Sequence, residues 1–167
     1  MDYNIRKMEK RDCMSVAHVI TIAWNETYKG IIDDDILNNL YSNEDERANN
    51  SLKNFDTNED EQLVLEVDNK VVGFANVGKP NDTTYNNCGE LFAIYIIGKY
   101  KGKGYGKKLF ESCKDTLKEM GFDKMIIGCL EGNPSNEFYK HMGGKLIKTR
   151  IYKKLNLPEN VYLFEQI

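Results

Sequence analysis

Apolar residues between Cys13 and Trp24 recur at helical spacing. Met14, Ala17, Ile20 and Trp24 form a stripe, and Cys13, Val16 and Ala23 widen it. The pattern predicts a helix opened by Arg11-Asp12 and closed at Gly30, where a residue without Cβ can turn left-handed at the helix C-terminus. Residues 4–8 before it alternate and read as a short strand. Asp33, Asp34 and Asp35 would start a second helix, because carboxylates suit the positive end of a helix dipole; Ile36, Leu37, Leu40 and Tyr41 then form its apolar side. The more polar stretch 43–55 continues the helical region.

From Glu61 the period drops to two. Leu63, Leu65 and Val67 alternate with Gln62, Val64 and Glu66, and a second strand over 71–77 follows Asp68-Asn69-Lys70, where Asn tolerates the positive φ of a hairpin. A strand over 90–97 runs into a glycine-rich loop. Beyond it, Tyr105, Leu109, Phe110, Cys113, Leu117 and Met120 mark a helix closed by Gly121. Residues 124–130 form a buried strand. The turn Gly132-Asn133-Pro134-Ser135 starts a helix that carries Phe138 and Tyr139 and stops at Gly143-Gly144. Two strands, 145–151 and 160–166, finish the chain. This order predicts one mixed α/β domain over residues 1–167, without repeats or linkers.

Composition agrees with a folded globular chain: 41% hydrophobic and 29% charged over 167 residues. The net charge of -3 provides no general field for nucleic acid, so the lysines near residues 99–108 are a local feature. No apolar run is long enough to cross a bilayer, and the first residues lack a secretory signal pattern. Cysteines 13, 88, 113 and 129 are far apart, and with two histidines no zinc-ligand spacing can be drawn. The expectation is reduced buried thiols, a cytoplasmic location, and neither metal, membrane nor nucleic-acid partner.

The segment from Ile94 to Lys108 carries the chemistry. An apolar strand enters a loop with glycines at 102, 104 and 106, set among Lys101, Lys103 and Lys107, and a helix follows. Glycines allow the backbone to present its N–H groups, and the helix N-terminus points its dipole at the same place, so the junction suits a phosphate or pyrophosphate. A P-loop does not match, because Lys101 stands where its first glycine belongs and Lys108 replaces Ser/Thr. A dinucleotide loop also does not match, because its third glycine would fall at Lys107.

What remains, Lys101-Gly102-Lys103-Gly104-Tyr105-Gly106, resembles the pyrophosphate loop [Q/R]-x-x-G-x-[G/A] of the GCN5-related N-acetyltransferase (GNAT) superfamily, with Lys101 in the Gln/Arg place. The strand at 125–130, Asn133, Phe138-Tyr139 and Gly143-Gly144 follow in the family's order. Trp24, Thr27-Tyr28 and Gly30-Ile31 are similar to the first-helix signature of a subgroup that includes PaiA-like acetyltransferases. The resemblance implies a mixed, mostly antiparallel central sheet flanked by helices, and transfer of an acetyl group from acetyl-CoA directly to a primary amine.

It also implies roles. Gly102, Gly104, Gly106 and the adjoining amides, including that of Tyr105, would hold the pyrophosphate; Lys101, Lys103 and Lys107 would add charge or simply be solvated. Backbone groups of Ile94, Tyr95 and Ile96 would hold the pantetheine arm, and Asn133 would contact CoA. Tyr139 would be the general acid, since a phenol can supply the proton that the leaving thiolate needs. Glu90 would be the base. Strand alternation puts it on one face with Phe92, Ile94 and Ile96, about 13 Å away over four residues, so it would act through water; a structural carboxylate is the alternative. Trp24, Tyr28 and Asp33 would lie near the acceptor, although Asp33 to Asp35 also suffice as a helix start. Polyamines or other small amines lead as acceptors, with peptide amines or a non-catalytic CoA-binding regulatory module as alternatives. An exposed final strand would allow a homodimer.

Overall fold

The computed structural model describes residues 2–82, 84–85 and 87–167. Its strands are β1 (Tyr3–Lys7), β2 (Glu61–Val67), β3 (Lys70–Gly78), β4 (Cys88–Ile96), β5 (Lys124–Leu130), β6 (Lys145–Tyr152) and β7 (Leu157–Phe164). The α-helices are α1 (Cys13–Tyr28), α2 (Asp34–Ser42), α3 (Glu44–Lys53), α4 (Tyr105–Glu119) and α5 (Ser135–His141). The sheet is seven-stranded, in the order β1-β2-β3-β4-β5-β7-β6. β1/β2, β5/β7 and β6/β7 pair antiparallel, and β4/β5 pair parallel. This is the mixed α/β sheet that the sequence implies.

The chain divides into two compact units, with β3, β4 and α4 each contributing to both. The first unit holds residues up to Asn76 and Ala93–Cys113. Its core places Cys13, Val16 and Val19 of α1 against Val64 and Phe74, with Ile20, Ala93 and Tyr95 packed at the margin. Met14, read as part of the buried stripe, is 46% exposed. The helix instead buries the Cys13, Val16, Ala17, Val19 and Ala23 side. Two arginines fasten the helices. Arg6 grips the Asp12 carboxylate with both Nη atoms, at 2.7 and 2.9 Å, just before α1. Arg47 of α3 donates to the Leu40 carbonyl at 2.8 Å and to the Thr21 hydroxyl, and so joins three helices.

Backbone conformation follows the turn residues. Asp68 and Asn69 have φ of 50° and 66°, as the β2–β3 hairpin requires, and Gly30 has φ 84° beyond the end of α1.

The second unit holds Val77–Phe92 and Lys114–Ile167. Ile126 and Val161 form an apolar cluster with Cys88, with Tyr85, Ile147 and Leu163 packed around it. The final strand β7 runs over 157–164 rather than 160–166 and lies between β5 and β6, so it is not a free edge. The terminal strand on that side is β6, because its hairpin folds back outside β7.

Each half of β4 meets α4 within its own unit: a Cβ on Gly89 would meet Leu117 at 2.5 Å in the second, and a Cβ on Gly106 would meet Ile96 at 3.8 Å in the first.

Candidate active site

In the first unit, β4 ends where the Ile97 amide donates to the Val72 carbonyl at 3.0 Å. A single 3₁₀ turn, Gly98–Tyr100, follows, closed by Lys101 N–H donating to the Gly98 carbonyl at 3.0 Å. The Gly98 amide donates to the Glu26 carboxylate of α1, also at 3.0 Å. A side chain on Gly98 would come within 2.2 Å of that carboxylate, so glycine is needed there for the contact.

Gly102 and Gly104 then take φ of 75° and 85°, in the left-handed region, and a Cβ at either would meet nothing within 4 Å. The first loop-crossing bond of α4 runs from Lys108 N–H to the Gly104 carbonyl. Among the described residues, no protein acceptor takes the amides of 102–107. Successive unshared N–H groups at a helix N-terminus form a concave anion site. Lys101, Lys103 and Lys107 are exposed around it. Lys108 lies over the Tyr3 ring at 5.2 Å. Tyr105 is 7% exposed and packs on Tyr3 at 5.6 Å, so its side chain is core and its amide is what it offers the loop.

Trp24 and Tyr28 of α1 do come together, with ring centroids 4.7 Å apart, and Trp24 meets Tyr95 of β4 edge-on at 6.3 Å. Tyr28 is buried, and the buried Nε1 of Trp24 has no hydrogen-bond partner among the described residues. Ile94 and Tyr95 are half-buried and Ile96 is buried. Asp33 is exposed ahead of α2, where its carbonyl accepts from the Ile36 and Leu37 amides.

The second unit holds Glu90, Asn133 and Tyr139. The Asn133 side chain accepts the Ser135 amide at 2.8 Å and so caps the start of α5. Tyr139 is 6% exposed, with its ring 6.1 Å from Tyr162 and 5.7 Å from Phe138. Asn136 was not singled out from the sequence, yet it holds α5 in place. Its Nδ2 donates to the carbonyls of Leu130 and Asn133, and its Oδ1 accepts from the Tyr162 hydroxyl and Asn160 Nδ2. No local pattern marks such a residue, because the partners of its side-chain oxygen, Asn160 and Tyr162, lie on β7.

Glu90 is buried and bound by Arg150, whose Nη2 donates to its Oε2 at 3.0 Å. Burial pushes the Glu90 carboxyl above the usual carboxylate range; the Arg150 charge and hydrogen bond pull against that without cancelling it. Arg150 Nε also donates to Glu159 at 2.7 Å. Arg150 and Glu159 are missing from the sequence-level candidates because they meet Glu90 only through sheet register. Among the described residues no group of His, Cys, Asp and Glu is arranged to hold a metal ion, and no helix is long and apolar enough to cross a membrane.

The acetyltransferase (GNAT) family model matches residues 23–143, and the chain belongs to this family. It is 32% identical over 138 residues to the uncharacterized N-acetyltransferase YuaI of Bacillus subtilis (strain 168), covering 81% of this chain and 76% of that one. The fold is similar to PaiA N-acetyltransferase from Thermoplasma acidophilum in complex with coenzyme A, with a TM-score of 0.79 at 19% identity over 100% of both chains. It is also similar to yncA, a putative acetyltransferase from Salmonella typhimurium with acetyl-CoA, with a TM-score of 0.70 at 19% identity over 98% of this chain and 94% of that one. The protein is an N-acetyltransferase of the GNAT family.

Proposed function

We propose that the chain transfers the acetyl group of acetyl-CoA directly to the primary amine of a polyamine or another small amine. The observation that carries the donor side is the run of unshared amides from 102 to 107 at the start of α4, with open space at Gly102 and Gly104. That run suits a pyrophosphate, and the exposed lysines beside it suit its charge. The PaiA and yncA structures, which hold coenzyme A and acetyl-CoA, support the same donor.

Acetyl-CoA supplies the thioester. The amine nitrogen forms a bond to the acetyl carbon as the carbon–sulfur bond breaks, the Tyr139 hydroxyl gives a proton to the thiolate, and Glu90 receives the amine proton through water. Trp24 and Tyr28 recognise the acceptor, whose cationic form is attracted to aromatic faces. The raised proton affinity of Glu90 favours its use as a base. The test is thiol release from acetyl-CoA across polyamines, amino acids, aminoglycosides and short peptides. Turnover strongest on polyamines supports the reading, and turnover confined to peptides overturns its acceptor half.

A further inference from the structure

Glu90, Arg150 and Glu159 form a continuous chain of charge on β4, β6 and β7, three strands of one unit. Arg150 and Glu159 are direct cross-strand neighbours, while Glu90 lies two strands beyond β7. To reach it, the guanidinium must pass over β5. The strand makes room with a glycine: a Cβ on Gly128 would be 2.6 Å from Glu159 Oε2 and 2.9 Å from Arg150 Nη2. Both carboxylates are buried, with Glu90 and Glu159 each 7% exposed. Two buried carboxylates on one guanidinium carry one net negative charge. Asp82 adds a further negative charge facing Glu90, although Lys148 pairs with Asp82 at 2.8 Å.

We propose that Arg150 is a positioning residue of the acetyl transfer: it fixes the Glu90 carboxylate and keeps it ionised beside Glu159, so that Glu90 is available to take the acceptor's proton. The inference rests on the reading of Glu90 as the base. Its physical content is a balance of opposed influences on one carboxyl group. Burial, Glu159 and Asp82 all favour the protonated form, and Arg150 favours the ionised form. A buried ion pair whose only task is to fasten strands would lose stability when Arg150 is removed, but it would not link the ionisation of Glu90 to the acid limb of turnover.

The experiment titrates the full-length protein carrying [5-¹³C]glutamate by carbon NMR, with the Glu90 resonance assigned by its loss in Glu90→Gln. Glu159→Gln removes the neighbouring charge while leaving Arg150 on Glu90, and should lower the Glu90 midpoint. Adding Arg150→Met to Glu159→Gln avoids leaving two unpaired carboxylates, and should raise the midpoint by about one pH unit or more. Arg150→Lys on the same background should hold it near the Glu159→Gln value. The acid limb of acetyl-CoA turnover, on the most active amine of the panel above, should move in the same order. A Glu90 midpoint unchanged by Arg150→Met would overturn the role of Arg150, even if Glu90→Gln abolishes the acid limb. A Glu90→Gln enzyme that keeps its turnover and acid limb would instead remove Glu90 from the reaction, and the inference with it.

Discussion

The Glu26 carboxylate accepts the Gly98 amide at 3.0 Å, and this one contact joins the last turns of α1 to the segment that begins the glycine loop. It has a geometric condition, since a Cβ at position 98 would stand 2.2 Å from the carboxylate oxygen. The far end of a glutamate side chain can swing aside, so Gly98→Ala should fold and lose the bond. A hydrogen bond of this kind contributes about 1 kcal/mol. Glu26→Ala and Gly98→Ala should therefore each weaken acetyl-CoA binding about fivefold, and the double variant should be no worse than either. Isothermal calorimetry on the full cycle checks this, because independent effects would multiply.

Gly104 has φ 85° with nothing near its missing Cβ, so alanine there is opposed by backbone conformation alone. The left-handed region costs an L-residue about 1–2 kcal/mol, and the loop would leave it in preference to retaining the amide array. Gly104→Ala should raise KM for acetyl-CoA about tenfold while leaving the melting temperature nearly unchanged. Steady-state kinetics beside thermal unfolding separates the two effects.

Tyr139→Phe deletes a hydroxyl and retains a ring that packs on Tyr162 and Phe138. General acid catalysis contributes about a hundredfold or more, so kcat should fall by that factor with the affinity for CoA preserved. Full activity in this variant would remove Tyr139 from the mechanism.

Asn136 satisfies four groups with one side chain. Asn136→Ala takes the shared acceptor from the Tyr162 hydroxyl and Asn160 Nδ2, and leaves the Leu130 carbonyl with the Asn133 amide alone. Urea unfolding should show a loss of about 2 kcal/mol.

These predictions divide along what sequence could reveal. The Gly30 helix end, the Asp68-Asn69 turn and the glycine loop were legible because each depends on local backbone conformation, for which residue type is strong evidence. Trp24 and Tyr28 were singled out by the resemblance of the first helix; their ring contact follows from positions four apart sharing a helix face. Glu90 was legible as a candidate, but its partner was not, because Arg150 arrives from β6 across a strand order that no local pattern encodes. The same reason hid Asn136, whose partners Asn160 and Tyr162 follow it by 24 and 26 residues. It also made the last strand in sequence look like an edge, whereas β6 occupies that place.

The most direct measurement of the central claim follows one reaction by two readouts: release of free thiol from acetyl-CoA, and mass spectrometry of the amine. The account predicts that a small primary amine gains one acetyl group for each thiol released, and that Gly104→Ala loses this turnover at low acetyl-CoA and regains it at high. Tight CoA binding with no thiol released on any amine of the panel would contradict it, and would leave a CoA-binding module in place of an enzyme.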